Sequence, residues 1–194
     1  MFDFIVTPGV TIKVDNANDV KKKVIQFGGR AKGTYELVNT TTVIRNSDFD
    51  LKNRNNWKKV GAHIEDVEKL IFAVMGNNNA YVSDLYNSMY YTPVMPQICM
   101  AKDIITKDPE TRQCYIVFPR IHCFESIQVI TRGDRAYVTI NMRSCNAVAN
   151  YASDLYLGFL MARYMAPAIS DPDMIITLTC NIGSLHVFDE EVRS

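Results

Sequence analysis

The run Ala136-Tyr-Val-Thr-Ile-Asn-Met142 constrains this chain more than any other segment. Ala136, Val138, Ile140 and Met142 fall on one side of an extended strand, and Tyr137, Thr139, Asn141 and Arg143 on the other. That is the period-two pattern of a strand with one buried face. Gly133-Asp134 supply a two-residue turn before it and Phe124 to Thr131 a partner strand, so the centre of the chain reads as an antiparallel hairpin. With those two residues central in the turn, Arg132 faces Arg135 and Cys123 lies opposite Ser144; a one-residue change sets Cys123 opposite Arg143 instead. Either register holds thiol and guanidinium at the same end of neighbouring strands, roughly 5–8 Å apart between backbones.

Other elements arrange themselves around this hairpin. Cys114-Tyr-Ile-Val-Phe118 reads as a strand, and Tyr151 to Met165 as a helix with Leu155, Phe159 and Ala162 on one face and Pro167 past its end. Extended sequence follows from Met174 to Thr179 and again around His186. Upstream, Asn16-Ala-Asn-Asp caps a helix through Val20, Val24 and Phe27, stopped by Gly28-Gly29, and the β-branched run Thr34 to Ile44 is extended. Arg45 to Lys59 is polar and reads as a loop, followed by a helix from about Ala62 to Met75 that ends at Gly76 and three asparagines. Helices are also expected over 80–90 and 94–106. The expected architecture is α+β, a mostly antiparallel sheet flanked by helices, in one domain over residues 1–194.

Composition removes several function classes. Lys+Arg and Asp+Glu both total 21, so the chain lacks the cationic field that binding to a nucleic-acid polymer relies on. The N-terminal Met-Phe-Asp-Phe-Ile-Val carries an acid and no basic region, and no apolar run approaches the roughly 18 residues of a membrane span. A soluble, cytoplasmic protein with no membrane partner is expected. The five cysteines, at 99, 114, 123, 145 and 180, are odd in number and lack a Cys-x-x-Cys pair. They read as free thiols in a reducing compartment, neither a disulfide framework nor a metal site.

One of them has a chemical context. An arginine beside Cys123 favours the thiolate, which is the nucleophilic form of cysteine. The planar fork of Arg143 also suits a phosphate. Taken singly, the bland alternatives are a small buried hydrophobe and a strand-end charge.

Four motifs place these residues in a larger pattern. Met142-Arg143-Ser144-Cys145-Asn146, with Asp154 eleven residues after the arginine, resembles the Arg-Ser-x-Asp…Asn/Asp signature of thymidylate synthases and their hydroxymethylase relatives. Cys123 stands twenty residues before Arg143, as that family's nucleophile does, with Gln128 also in its family place. Asp108-Pro-Glu-Thr-Arg112 resembles the Asp-Pro-x-Ser/Thr-Arg segment, and Gly183-Ser-Leu-His186-Val-Phe188 the Gly-x-x-His-x-Tyr strand. Before residue 108 the likeness is thinner. Gly29-Arg30-Ala-Lys-Gly-Thr-Tyr resembles the phosphate-loop arginine and first strand, and Glu68 is the counterpart of the catalytic glutamate, one residue off its usual distance from the glycine.

The resemblance implies a thymidylate synthase-like fold and one-carbon transfer to carbon 5 of a pyrimidine nucleoside monophosphate, with 5,10-methylene-tetrahydrofolate as donor. Cys123 would be the nucleophile and Glu68 a second catalytic residue. Arg143, Ser144 and Arg30 would hold the 5′-phosphate, joined by Arg112 from the partner subunit of a homodimer. Asp154 and Gln128 would read the base, and His186 the sugar. Departures accompany the match: His122 replaces a proline, Asn146 an acid that contacts the folate, and Phe188 a sugar-binding tyrosine. The chain ends six residues after Phe188, like a short, archaeal-type branch, and the missing tail favours water over hydride as the last reactant. A carboxylate at 154 accepts from the amine of cytosine, where asparagine would match uracil. The first expectation is therefore a dCMP hydroxymethylase, the second a thymidylate synthase acting on dUMP, and the third a catalytically silent homologue that binds nucleotide or a protein.

Overall fold

The computed structural model describes residues 3–7, 10–14, 17–74, 92–119 and 123–193. The strands are β1 (Asp3–Thr7), β2 (Val10–Val14), β3 (Gly29–Ala31), β4 (Thr34–Arg45), β5 (Tyr115–Val117), β6 (Phe124–Arg132), β7 (Arg135–Asn146) and β8 (Ile175–Phe188). The helices are α1 (Ala17–Phe27), α2 (Arg54–Lys59), α3 (Ile64–Val74), α4 (Thr92–Lys107) and α5 (Tyr151–Met165), with short 3-10 turns at Pro167–Ser170 and Asp189–Glu191. None of the described helices is long and apolar enough to cross a membrane.

The strands form one eight-stranded sheet in the order β2-β1-β4-β8-β7-β6-β5, with β3 pairing the start of β4. Among the described residues every pairing is antiparallel except β7 with β8, which are parallel and joined through α5. A parallel neighbour needs a crossover of about a dozen residues or more, and α5 supplies it. The α+β expectation of a mostly antiparallel sheet with flanking helices is met at this level.

Burial follows the alternation read from the sequence. Ala136, Val138, Ile140 and Met142 are buried, while Tyr137 is 41% exposed on the opposite face. That second face is polar, with Thr139, Asn141, Thr177, Thr179 and Asn181 half-buried along it. Gly133 takes φ +56°, the position that a two-residue hairpin turn reserves for glycine.

Against the apolar face lies α5, buried on nearly every side, from Tyr151 to Met165. A helix apolar all round belongs inside a core rather than on its surface. It approaches the sheet closely at Gly158, where an added Cβ would stand 2.3 Å from Cδ1 of Ile140 and 3.3 Å from Phe124. Below α1, Val20 and Val24 are fully buried, whereas Phe27 is 46% exposed.

Three differences from the sequence reading have physical causes. The polar stretch 45–59 contains α2, anchored by Trp57, whose ring is fully buried and whose Nε1 donates to the Leu51 carbonyl at 2.8 Å. Its one apolar anchor is too little for a periodicity, but Asn53 caps it through the amide of Asn55. The extended sequence 174–179 and that around His186 are one strand, β8, running unbroken through Gly183. The β1–β2 hairpin adds an edge that the sequence reading omitted. The helix expected over 80–90, the Asn16 cap and His122 lie outside the described residues.

Candidate functional site

The strands do not run straight past Cys123. Pairing of β6 with β7 sums to 267 from Arg132–Arg135 to Ser126–Asn141, then shifts by one residue at Phe124–Met142, a bulge at Glu125. The Arg143 amide donates to the Cys123 carbonyl at 2.8 Å, so Cys123 stands opposite Arg143, the second of the two registers allowed by the sequence. In β7 and β8 the burial alternation slips at the same level, at 143–144 and 183–184, and in β4 at 38–39, where Asn39 has φ +53°. Asn39, Gly183, Arg143 and Cys123 thus form one row across four strands. At this level a cleft of about 390 Å³ opens on the polar face, lined by Asn39, Glu125, Asn141, Arg143, Asn181 and Gly183 among others, and Cys123 stands outside its lining.

The row leaves Cys123 exposed and Ser144 beside it, with Ser144 Oγ donating toward the sulfur at 3.8 Å. A hydroxyl at that distance is placed to stabilise negative charge on sulfur. All five cysteines are free; Cys114, Cys145 and Cys180 are buried and only Cys123 and Cys99 are exposed. Burial pushes the Cys114 thiol up to about 11 and, with the neighbouring Asp154, pushes Cys145 well above the usual thiol range. Of the two exposed thiols, Cys123 is the one that a hydroxyl approaches among the described residues.

Asp154 reaches the sheet from the first turn of α5, where Cys145 Sγ donates to its Oδ2 at 3.5 Å. Burial lifts the Asp154 carboxyl to about 7, and the thiol hydrogen bond only partly offsets it. A helix N-terminus favours a carboxylate by about 1 kcal/mol, too little to reverse that desolvation. Cys145 directly follows Ser144, so the contact of Asp154 with the hairpin lies one residue from the contact of Ser144 with the Cys123 sulfur. Cys123, Ser144 and Asp154 therefore meet the same end of the hairpin, where the backbone of Arg143 pairs with that of Cys123.

His186 pairs with Asn146 and Glu36 across β8, two positions beyond Ser184, the partner of Ser144. Its ring packs edge-on to Phe188 at 5.0 Å. Asn146 is spent internally: its oxygen accepts from the amides of Val148 and Ala149, and its amide donates to Glu191 at 2.9 Å. The turn before α5 owes its shape to that cap.

Other expected members stand apart. Arg30 sits on β3 beside Tyr35, ion-paired with Asp189 at 2.7 Å, and Tyr35 pairs with Val187, four residues or about 13 Å along β8 from Gly183. Gln128 lies on the polar face, donating to the Arg112 carbonyl at 3.1 Å, away from Asp154. Arg112 is exposed, and its guanidinium has no partner among the described residues. Glu68 is held by Arg54 at 2.8 Å and by the Tyr156 hydroxyl at 3.0 Å. Tyr156 leaves α5 two residues, roughly 200°, from Asp154, so Glu68 lies against the other flank of that helix, away from Asp154.

The sequence reading missed a polar row beside the site. Thr41 donates to Asn181 at 3.0 Å, Asn181 to Asn141 at 2.9 Å and Asn141 to Ser126 at 2.8 Å, crossing β4, β8, β7 and β6. Two asparagines in half-buried strand positions were the available signal. Among the described residues no group of three or more His, Cys, Asp or Glu side chains is placed to hold a metal. No known family model matches the chain, and neither does any curated protein.

Proposed function

We propose that this protein is a thymidylate synthase-like enzyme that functionalises carbon 5 of a pyrimidine nucleoside monophosphate through a Cys123 adduct at carbon 6, with dCMP hydroxymethylation as the first reading. The observation that carries it is the exposed Cys123 opposite Arg143, beside Ser144, at the end of the hairpin that also receives Asp154. Arg143 and Ser144 hold the 5′-phosphate, and His186 reads the sugar.

Thiolate addition to carbon 6 of cytosine drives negative charge toward N3. Burial raises the Asp154 carboxyl to about 7, so it can carry a proton at neutral pH; Asp154 gives that proton to N3 while its second oxygen accepts from the exocyclic amine. Carbon 5 then becomes nucleophilic. Carbon 5 attacks the methylene carbon carried by the cosubstrate methylene-tetrahydrofolate and loses its own proton. Tetrahydrofolate leaves as the methylene–nitrogen bond breaks, water adds to the methylene, and the Cys123 thiolate departs from carbon 6. Asn146, where the family carries an acid, is committed to its cap and Glu191. Glu68, on the other flank of α5, takes no part in these steps.

A second reading, thymidylate synthase on dUMP, is favoured by the same raised carboxyl. A protonated Asp154 donates to uracil O4 and accepts from N3–H. A homodimer belongs to both readings. Arg112 stands by the row of Gln128, about 15 Å of strand from Cys123, too far to serve its own site. The nearby polar face exposes Tyr115, Tyr137 and Ile175 for a second copy.

The test is incubation with dCMP or dUMP tritiated at carbon 5, with and without methylene-tetrahydrofolate. Tritium release identifies the base, and mass analysis separates hydroxymethyl from methyl product. Release from neither nucleotide would leave a binding protein in place of an enzyme.

A further inference from the structure

On the flank of α5 away from Asp154, a cleft of about 560 Å³ opens between α3, α4, α5 and the 3-10 turn at Pro167–Ser170. Its volume lies in the range of roughly 300–1,000 Å³ of small-molecule sites. Ile71, Leu160 and Pro167 line it with the rings of Tyr156 and Tyr164, and so do four cations, Lys52, Arg54, Lys102 and Arg163, against the single carboxylate of Glu68.

Glu68 is already committed. Arg54 holds both its oxygens, at 2.8 and 3.1 Å, and Tyr156 donates to it at 3.0 Å. Burial, with Glu68 adding to it, pushes the Tyr156 phenol up to about 12, so the phenol stays protonated and adds no negative charge. The other three cations face no carboxylate partner among the described residues. Lys52 Nζ donates to the carbonyls of Asp171, Pro172 and Met174. Nε and Nη2 of Arg163 each reach Ser170 Oγ at 3.4 Å, and the Lys102 ammonium makes no hydrogen bond or ion pair among the described residues.

In a chain whose 21 basic and 21 acidic side chains cancel, this is a local excess of positive charge. Cations gathered in one cleft repel, and an anion among them reverses that cost. The two donors of Arg163 meet one hydroxyl at the outer limit of a hydrogen bond; two phosphate oxygens would replace it with shorter, charge-assisted bonds. We propose that this cleft binds a phosphorylated small molecule, its phosphate on Lys102 and Arg163 and its apolar body against Leu160 and Tyr164. The site is separate from the cysteine and stands whether or not the enzymatic reading does.

Trp57, the chain's single tryptophan, packs on Tyr156 at 5.3 Å between ring centroids and reports on the cleft. Its fluorescence is followed while the full chain is titrated with inorganic pyrophosphate or dCTP at constant ionic strength. The expected result is a saturable change with both, tighter for dCTP, with dissociation constants raised at least fivefold in Arg163→Gln and in Lys102→Ala and unchanged in Arg143→Ala. Circular dichroism confirms that the variants fold. No saturable change with either ligand, affinities untouched by both cleft substitutions, or binding lost in Arg143→Ala would overturn the site. Equal affinity for dCTP and pyrophosphate would overturn the apolar half of the proposal.

Discussion

The main-chain amide of Arg143 donates to the carbonyl of Cys123 at 2.8 Å, and this single bond sets the register of the candidate site. Had the pairing of β6 and β7 continued unshifted from Ser126–Asn141, Cys123 would have faced Ser144. The bulge at Glu125 brings Arg143 opposite instead and leaves Ser144 Oγ at 3.8 Å from the sulfur.

Gly183 keeps that row in place. A Cβ there would stand 2.7 Å from the Arg143 carbonyl oxygen, a backbone atom that cannot rotate aside. Gly183→Ala is expected to cost about 1–3 kcal/mol in urea denaturation and to lower turnover at least tenfold. Gly29→Ala is the matched control, because no atom lies within 4 Å of its Cβ.

Cysteine reactivity should follow burial. Brief alkylation of the folded protein is expected to label Cys123 and Cys99 and to spare Cys114, Cys145 and Cys180, as read by peptide mass mapping. Cys123→Ser should abolish tritium release with the fold intact, and Cys99→Ser should leave it unchanged.

Asp154 ties pH to both stability and activity. Its folded carboxyl is raised from 3.8 to about 7, so between those values the folded state holds a proton that the unfolded chain has lost. Stability from this group is therefore full below about pH 4 and declines as pH rises to about 7, by roughly 1.4 kcal/mol per unit at most. Asp154→Asn removes the buried charge and should stabilise the protein at pH 8 by a few kcal/mol but not at pH 4, measured by denaturation at both. Asparagine cannot give a proton to N3, so the activity ratio should move from dCMP toward dUMP at least tenfold. Wild-type turnover should fall above about pH 7 as Asp154 ionises.

Arg112 predicts complementation. The inactive variants Arg112→Ala and Cys123→Ser, mixed and refolded together, should regain part of the activity through heterodimers that keep one complete site. A monomer that remains active in sedimentation experiments would contradict the shared site.

Legibility in the sequence tracked periodicity. The bounds of α5 and the turn and central alternation of the β6–β7 hairpin could be read from the sequence, whereas β7 runs four residues past Met142, to Asn146, and the register at Cys123 stayed open between two choices. By contrast α2 hangs on Trp57 alone, and β8 reads as two extended pieces, 174–179 and around His186, where the structure has one strand whose Gly183 allows close passage of the Arg143 backbone. The sequence does carry a signal for the β1–β2 hairpin, Pro8-Gly9 between two β-branched runs. Within the site, residues one register row apart were recoverable. Glu68, Gln128 and Arg30 depend on which flank of a helix or face of a sheet meets the cleft, and on competing partners such as Asp189, which a single sequence does not encode locally.

The most direct test of the account is mass spectrometry of the protein after incubation with 5-fluoro-dCMP or 5-fluoro-dUMP and methylene-tetrahydrofolate. Fluorine at carbon 5 cannot leave as a proton does, so the adduct stalls on the nucleophile. The account predicts one nucleotide trapped per chain on the peptide containing Cys123, and none in Cys123→Ser. A covalent adduct on Cys145 or Cys99, or no adduct with either nucleotide, would contradict it.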